Sequence, residues 1–129
     1  MFSRDPRPER IDTLIGQSTS VHGDVTFHGG LHVDGRVVGA VRAAAPGAHL
    51  SVSGTGVIDG PVEAPTVVLH GRVRGDILAR ERLVLGPDAR VEGNVYYGVI
   101  EMTLGAQIVG KLVRLEPEGA DAQPGGARA

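Results

Sequence analysis

The sequence predicts an all-β chain wound into a parallel β-helix, a solenoid of about six coils. Three observations predict it. A glycine returns six times with an aliphatic residue two places before it and another two places after. Apolar and polar residues alternate within each short segment, the period-2 pattern of strands. The 129 residues include two Phe, two Tyr, no Trp and twenty Gly, which suits neither an aromatic globular core nor long helices.

The glycine element reads Val21-His22-Gly23-Asp24-Val25, Val37-Val38-Gly39-Ala40-Val41 and Ile58-Asp59-Gly60-Pro61-Val62 in the first half. It continues as Val73-Arg74-Gly75-Asp76-Ile77, Val91-Glu92-Gly93-Asn94-Val95 and Ile108-Val109-Gly110-Lys111-Leu112. The glycines fall 16, 21, 15, 18 and 17 residues apart. A repeat of that length cannot hold a core alone, so its apolar face must stack on its neighbours. Such a glycine marks a corner where a Cβ would clash or φ must be positive. The second element is a short strand: Leu31-His32-Val33, Leu50-Ser51-Val52, Val67-Val68-Leu69, Leu83-Val84-Leu85 and Ile100-Glu101-Met102. The third is a turn with Gly16, Gly35, Gly71, Gly86 or Gly105. Val and Ile suit this architecture because β-branched side chains pack well on a pleated surface. At the ordinary strand spacing, six stacked coils form a rod about 30 Å long.

The repeats occupy residues 13–115. Residues 1–12 hold six charges and two prolines without periodicity, and 116–129 are similar, so both are expected to be disordered tails. Cysteine is absent, which removes disulfides and thiolate chemistry. No stretch approaches the ~20 apolar residues of a membrane span, and no signal peptide is visible, so a cytoplasmic location is expected. Residues 13–115 contain nine Lys/Arg and nine Asp/Glu, a neutral body that offers nothing to nucleic acid. The chain has no phosphate loop, so neither nucleotide nor any other cofactor is expected.

The repeat, the length and the tails together resemble the bactofilins, polymer-forming bacterial cytoskeletal proteins. The resemblance rests on Leu14-Ile15-Gly16, on the six glycine elements and on the run Val91-Glu92-Gly93-Asn94-Val95-Tyr96-Tyr97. It rests also on Met1-Phe2-Ser3-Arg4, which looks like that family's short membrane-targeting peptide. The resemblance implies a right-handed, roughly triangular β-helix. It implies monomers that join head to head and tail to tail, without nucleotide, into filaments lacking polarity. It further implies a scaffold at the inner face of the membrane for cell-shape, cell-wall or other client proteins. Many members carry a Phe near the C-terminal end of the core; here the last coil offers Leu104, Ile108, Leu112, Val113 and Leu115.

The physics of the ends leads independently to self-association. A β-helix ends in open backbone groups and a cut aliphatic core, and neither tail has the amphipathic pattern of a capping helix. The expected N-terminal interface is Leu14, Ile15, Val21 and Val25. The expected C-terminal interface is Ile100, Met102, Leu104, Ile108 and Leu112. Two different isologous contacts that alternate make an open filament. At the N-terminus, Met1 and Phe2 would dip into the lipid interface, with Ser3 following and Arg4 near anionic headgroups.

Other readings are weaker. His22, His28, His32, His49 and His70 do not converge in sequence on a zinc site and read as surface residues, so no metal is expected. Arg74-Gly75-Asp76 is one copy of the glycine element rather than an adhesion tripeptide. An enzyme of the hexapeptide class, a left-handed β-helical trimer like acyltransferases or carbonic-anhydrase relatives, is the competing reading. Ile15, Val21, Phe27 and Leu85, Val91, Tyr97 keep its six-residue step, but Val33 to Val37 and Leu69 to Val73 are steps of four. The chain also lacks the long loop or C-terminal helix that would shape a pocket, so no catalytic residue is assigned.

Overall fold

A computed structural model describes residues 13–115. It is all-β, and every strand pairing in it is parallel. The fifteen strands stack in three columns of six, giving a solenoid of six coils with three faces. Three strands, Val62–Leu69, Ile77–Leu85 and Val95–Met102, turn a corner and belong to two columns each. The first face runs from Thr13–Ile15 through Gly30–Val33 and His49–Val52 to residues 99–102. The second runs from Ser20–His22 to Gln107–Val109. The third runs from Val25–Phe27 to Leu112–Arg114.

Register turns the repeat into continuous aliphatic rows. On the first face Ile15, Val33, Val52, Leu69, Leu85 and Met102 lie in one row, and Leu31, Leu50, Val67, Leu83 and Ile100 in another. On the second face the row is Val21, Val37, Ile58, Val73, Val91 and Ile108. On the third it is Val25, Val41, Val62, Ile77, Val95 and Leu112. These side chains are fully buried through coils two to five. Each such burial contributes roughly 1.5–3 kcal/mol.

The three corners differ. Between the second and third faces sits the recurrent glycine, with φ between 130° and 158°. A Cβ on Gly39, Gly60, Gly75, Gly93 or Gly110 would lie 2.6 Å from the carbonyl carbon of the preceding glycine in the ladder. The residue after the glycine completes this corner. Asp24 Oδ1 accepts from the Ala40 amide at 3.0 Å, Asp76 Oδ1 from Asn94 at 2.9 Å and Asn94 Oδ1 from Lys111 at 3.1 Å. Ala40 has no acceptor to offer, and the residue above it is Pro61, which has no amide proton to satisfy.

Between the first and second faces, long corners alternate with short ones over the first four coils. The long ones close on a turn, as in Thr19 N to Gly16 O at 3.0 Å and Ala89 N to Gly86 O at 3.1 Å. The short ones, at Gly35 and Gly71, nest beneath the turn of the coil before, where a Cβ would strike backbone carbonyls. The four-residue steps are these short corners. Between the third and first faces the connection varies most. Residues 44–48 form an inserted loop there, which accounts for the 21-residue glycine spacing.

A Cβ tests the ladder directly. Gly75→Ala is expected to cost on the order of 2–4 kcal/mol. Gly54→Ala, where a Cβ would meet open space, is expected to change stability by less than about 0.5 kcal/mol. Urea unfolding followed by far-ultraviolet circular dichroism checks the contrast, and equal effects would refute the close-approach account.

Candidate assembly interfaces

The two ends of the solenoid are where the stack stops. The terminal strands, Thr13–Ile15, Ser20–His22 and Val25–Phe27 at one end, and residues 99–102, Gln107–Val109 and Leu112–Arg114 at the other, each pair on one side only. No helix or further strand among the described residues covers either end. The strands between them pair on both sides, so these edges are the main open hydrogen-bonding surface of the described body.

Phase along each strand decides which side chains reach the cut cross-section. At the N-terminal end Ile15, Val21 and Val25 occupy inner rows; Val21 and Val25 are half-buried and Ile15 is 7% exposed. Leu14 does not join them. It pairs in register with His32, an outward position, and its side chain is 60% exposed on the flank. At the C-terminal end Ile100, Met102, Ile108 and Leu112 occupy inner rows. Leu104 sits at a turn tip, 94% exposed. The sequence placed Leu14 and Leu104 among interface residues because they are aliphatic; their position puts them on the rim.

Two residues that the sequence reading missed lie on these ends. The inner row beside the third corner reads Phe27, Ala43, Ala64, Ala79, Tyr97 and Arg114. Ala43 and Ala64 occupy corresponding positions in successive coils. An aromatic ring therefore stands near each end of a row of alanines, and a guanidinium occupies the last inner position. Both were findable: Phe27 follows Val25 by two and Arg114 follows Leu112 by two, the strand period.

Apolar exposure is lopsided. Of seven large exposed hydrophobics among the described residues, six (Val99, Met102, Leu104, Val109, Leu112 and Val113) belong to the last coil. The C-terminal end has more apolar area to lose on association. Residues Met1, Phe2, Ser3 and Arg4, the expected membrane peptide, lie outside the described residues.

The histidines do not form a site. His22, His28 and His70 are exposed, and His32 is bound to Asp34 at 2.9 Å and Ser51 at 3.0 Å. His49 departs from the surface reading: it occupies a position beside Gly30 and Thr66 but is buried, with Nε2 unpartnered. No group of three or more His, Cys, Asp or Glu among the described residues could hold a metal ion. No described helix is long and apolar enough to cross a membrane.

Comparison with known proteins agrees with this architecture. The family model "Bactofilin: Polymer-forming cytoskeletal" matches residues 13–113, nearly the whole described body. Bactofilin BacO of Myxococcus xanthus (strain DK1622) is 31% identical over 101 residues, covering 78% of each chain. No solved structure matches the chain. With the family match spanning all six coils, the chain belongs to the bactofilins, the polymer-forming cytoskeletal family.

Proposed function

We propose that the chain polymerises end to end through its two cut cross-sections, without nucleotide, and serves as a scaffold at the inner face of the membrane. The observation that carries this is the pair of open strand edges with half-buried aliphatic rows behind them. Joining two ends buries that area at about 25 cal/mol per Å² and completes backbone ladders. Identical ends meeting through two-fold axes give two distinct joints, and alternation of the two gives a filament without polarity. The N-terminal joint would use Ile15, Val21 and Val25, with Leu14 at the rim. The C-terminal joint would use Ile100, Met102, Ile108 and Leu112, with Leu104 at the rim.

In this reading residues 13–115 are the polymerisation domain, and residues 1–12 and 116–129 lie outside it and outside the described residues. Met1, Phe2, Ser3 and Arg4 would anchor the filament to lipid. One such peptide binds weakly, and a filament that presents many gains avidity. The assembled polymer would then position cell-shape or cell-wall proteins from the cytoplasmic side.

Negative-stain electron microscopy of the purified chain, free of nucleotide and metal, is expected to show thin, straight filaments. A uniform trimer would instead favour the hexapeptide-enzyme reading and overturn this one. Ile108→Lys, at the C-terminal cross-section, is expected to keep the β circular-dichroism spectrum and reduce the polymer to short species. Val73→Lys, in the fully buried row, is expected to unfold the chain. Deleting residues 2–4 is expected to leave filaments intact and to lower their co-sedimentation with liposomes. Unchanged sedimentation would refute the anchor.

A further inference from the structure

We propose that the second face of the solenoid is itself a contact surface for an anionic lipid bilayer, additional to the N-terminal peptide. Its two outward rows hold Arg36, Arg72 and Arg90 in one and Arg74 in the other. At strand spacing these four guanidinium groups lie within coils two to five, over about 15 Å of axis. They are four of the nine basic residues of 13–115, and only two of its nine acidic residues, Asp59 and Glu92, share the face.

Those two acids are already engaged. Asp59 is 19% exposed, receives Arg36 Nε at 3.0 Å and has Arg74 at 3.8 Å. Glu92 receives Arg90 Nε at 3.0 Å, and that bond holds its carboxyl below the usual range. Arg72 makes no ion pair within 4.0 Å among the described residues, acts on Glu92 only through its charge, and is exposed. The face therefore has a net charge of +2 and the remainder of the described body −2, a polarity that the neutral total conceals.

The shape and the uncharged residues select a bilayer among anionic partners. The face is one continuous column of six parallel strands. Val57 stands between Arg36 and Arg72 in one outward row, and Val38 and Val109 flank Asp59, Arg74 and Glu92 in the other. Guanidinium groups bind phosphate in a fork, and short apolar side chains beside them are tolerated at the headgroup boundary. No Phe, Tyr or Trp lies on this face to stack on bases, His22 at its N-terminal edge being its one ring, and a broad sheet face does not enter a duplex groove. The inference deepens the membrane reading above and relies on it for location; polymerisation multiplies the contact without creating it.

The test compares the full chain with Arg72→Gln and Arg42→Gln by co-sedimentation with phosphatidylcholine vesicles, with and without phosphatidylglycerol. Arg72 is exposed and makes no close ion pair among the described residues, so its loss is expected to leave folding intact; Arg42 is an exposed arginine on the third face. Arg72→Gln is expected to weaken binding to the anionic vesicles about fivefold, and Arg42→Gln to leave it unchanged. Binding by the parent chain should fall steeply with salt. Equal loss from both variants, no loss from Arg72→Gln, or equally tight Arg72-dependent binding to duplex DNA would overturn the proposal. Electron microscopy of the same samples separates it from the polymer reading. If the chain stays monomeric, the ranking of the two variants is read at higher lipid concentration and decides the proposal alone.

Discussion

Each coil of this protein must set its corners directly over those of the coil before, at the spacing of hydrogen-bonded strands. The glycine ladder between the second and third faces meets that constraint most tightly. There the backbone of one coil rests against the carbonyl of the last, and a single Cβ would force the two apart. The aliphatic rows keep their register because this corner admits one approach. The neighbouring position then adapts in part to backbone needs: Asp24, Asp76 and Asn94 accept the next coil's amide proton and Ala40 stands below a proline, while Pro61 itself offers Asp76 no side-chain acceptor. Letters that look free in the glycine element are thus partly set by the coil above.

Much of the architecture was legible because the glycine and its aliphatic neighbours encode both coil length and corner. The four-residue steps at Val33 to Val37 and Leu69 to Val73 broke the apparent rhythm and were legible only as an irregularity. Their cause, Gly35 and Gly71 nested under an earlier turn, involves residues 16–19 and 53–56 and has no local signal. At the candidate interfaces, Ile15, Val21, Val25, Ile100, Met102, Ile108 and Leu112 fall on inner rows, as the strand period implies. The same period puts Phe27 and Arg114 on an inner row and Leu14 at an outward position, which residue type alone does not give. His49 shows the complementary limit: alternation gives a direction, and burial depends on what the rest of the chain brings over it.

A solenoid makes little physical distinction between stacking within a chain and stacking between chains. In the proposed assembly the same rows and edges would serve both, so a short β-helix could polymerise without a separate interface domain. Such an edge also invites wrong partners, and native edges are commonly blunted with charge. Arg114, placed on the inner row after Tyr97, fits that role. Its stem is long enough to cover apolar surface while its head reaches water. A joint at the proposed C-terminal interface would have to provide room or a counter-charge for it, which would make that end selective as well as adhesive.

The inner rows are committed to folding and assembly, so the outer rows alone can diversify. Even spacing of unlike charges would give three equivalent flanks. The distribution here is uneven: the inserted loop at 44–48 marks one corner, and four of the eight arginines of 13–115 share the face away from it with only two acids. In a rod with three flat sides, such asymmetry defines an orientation about the long axis. In the proposed assembly, apolar ends would set the direction of growth, and a charged flank would set which side of the rod faces a surface. The two properties would reside on different rows of the same coils, so a substitution such as Arg72→Gln would change the second without touching the first.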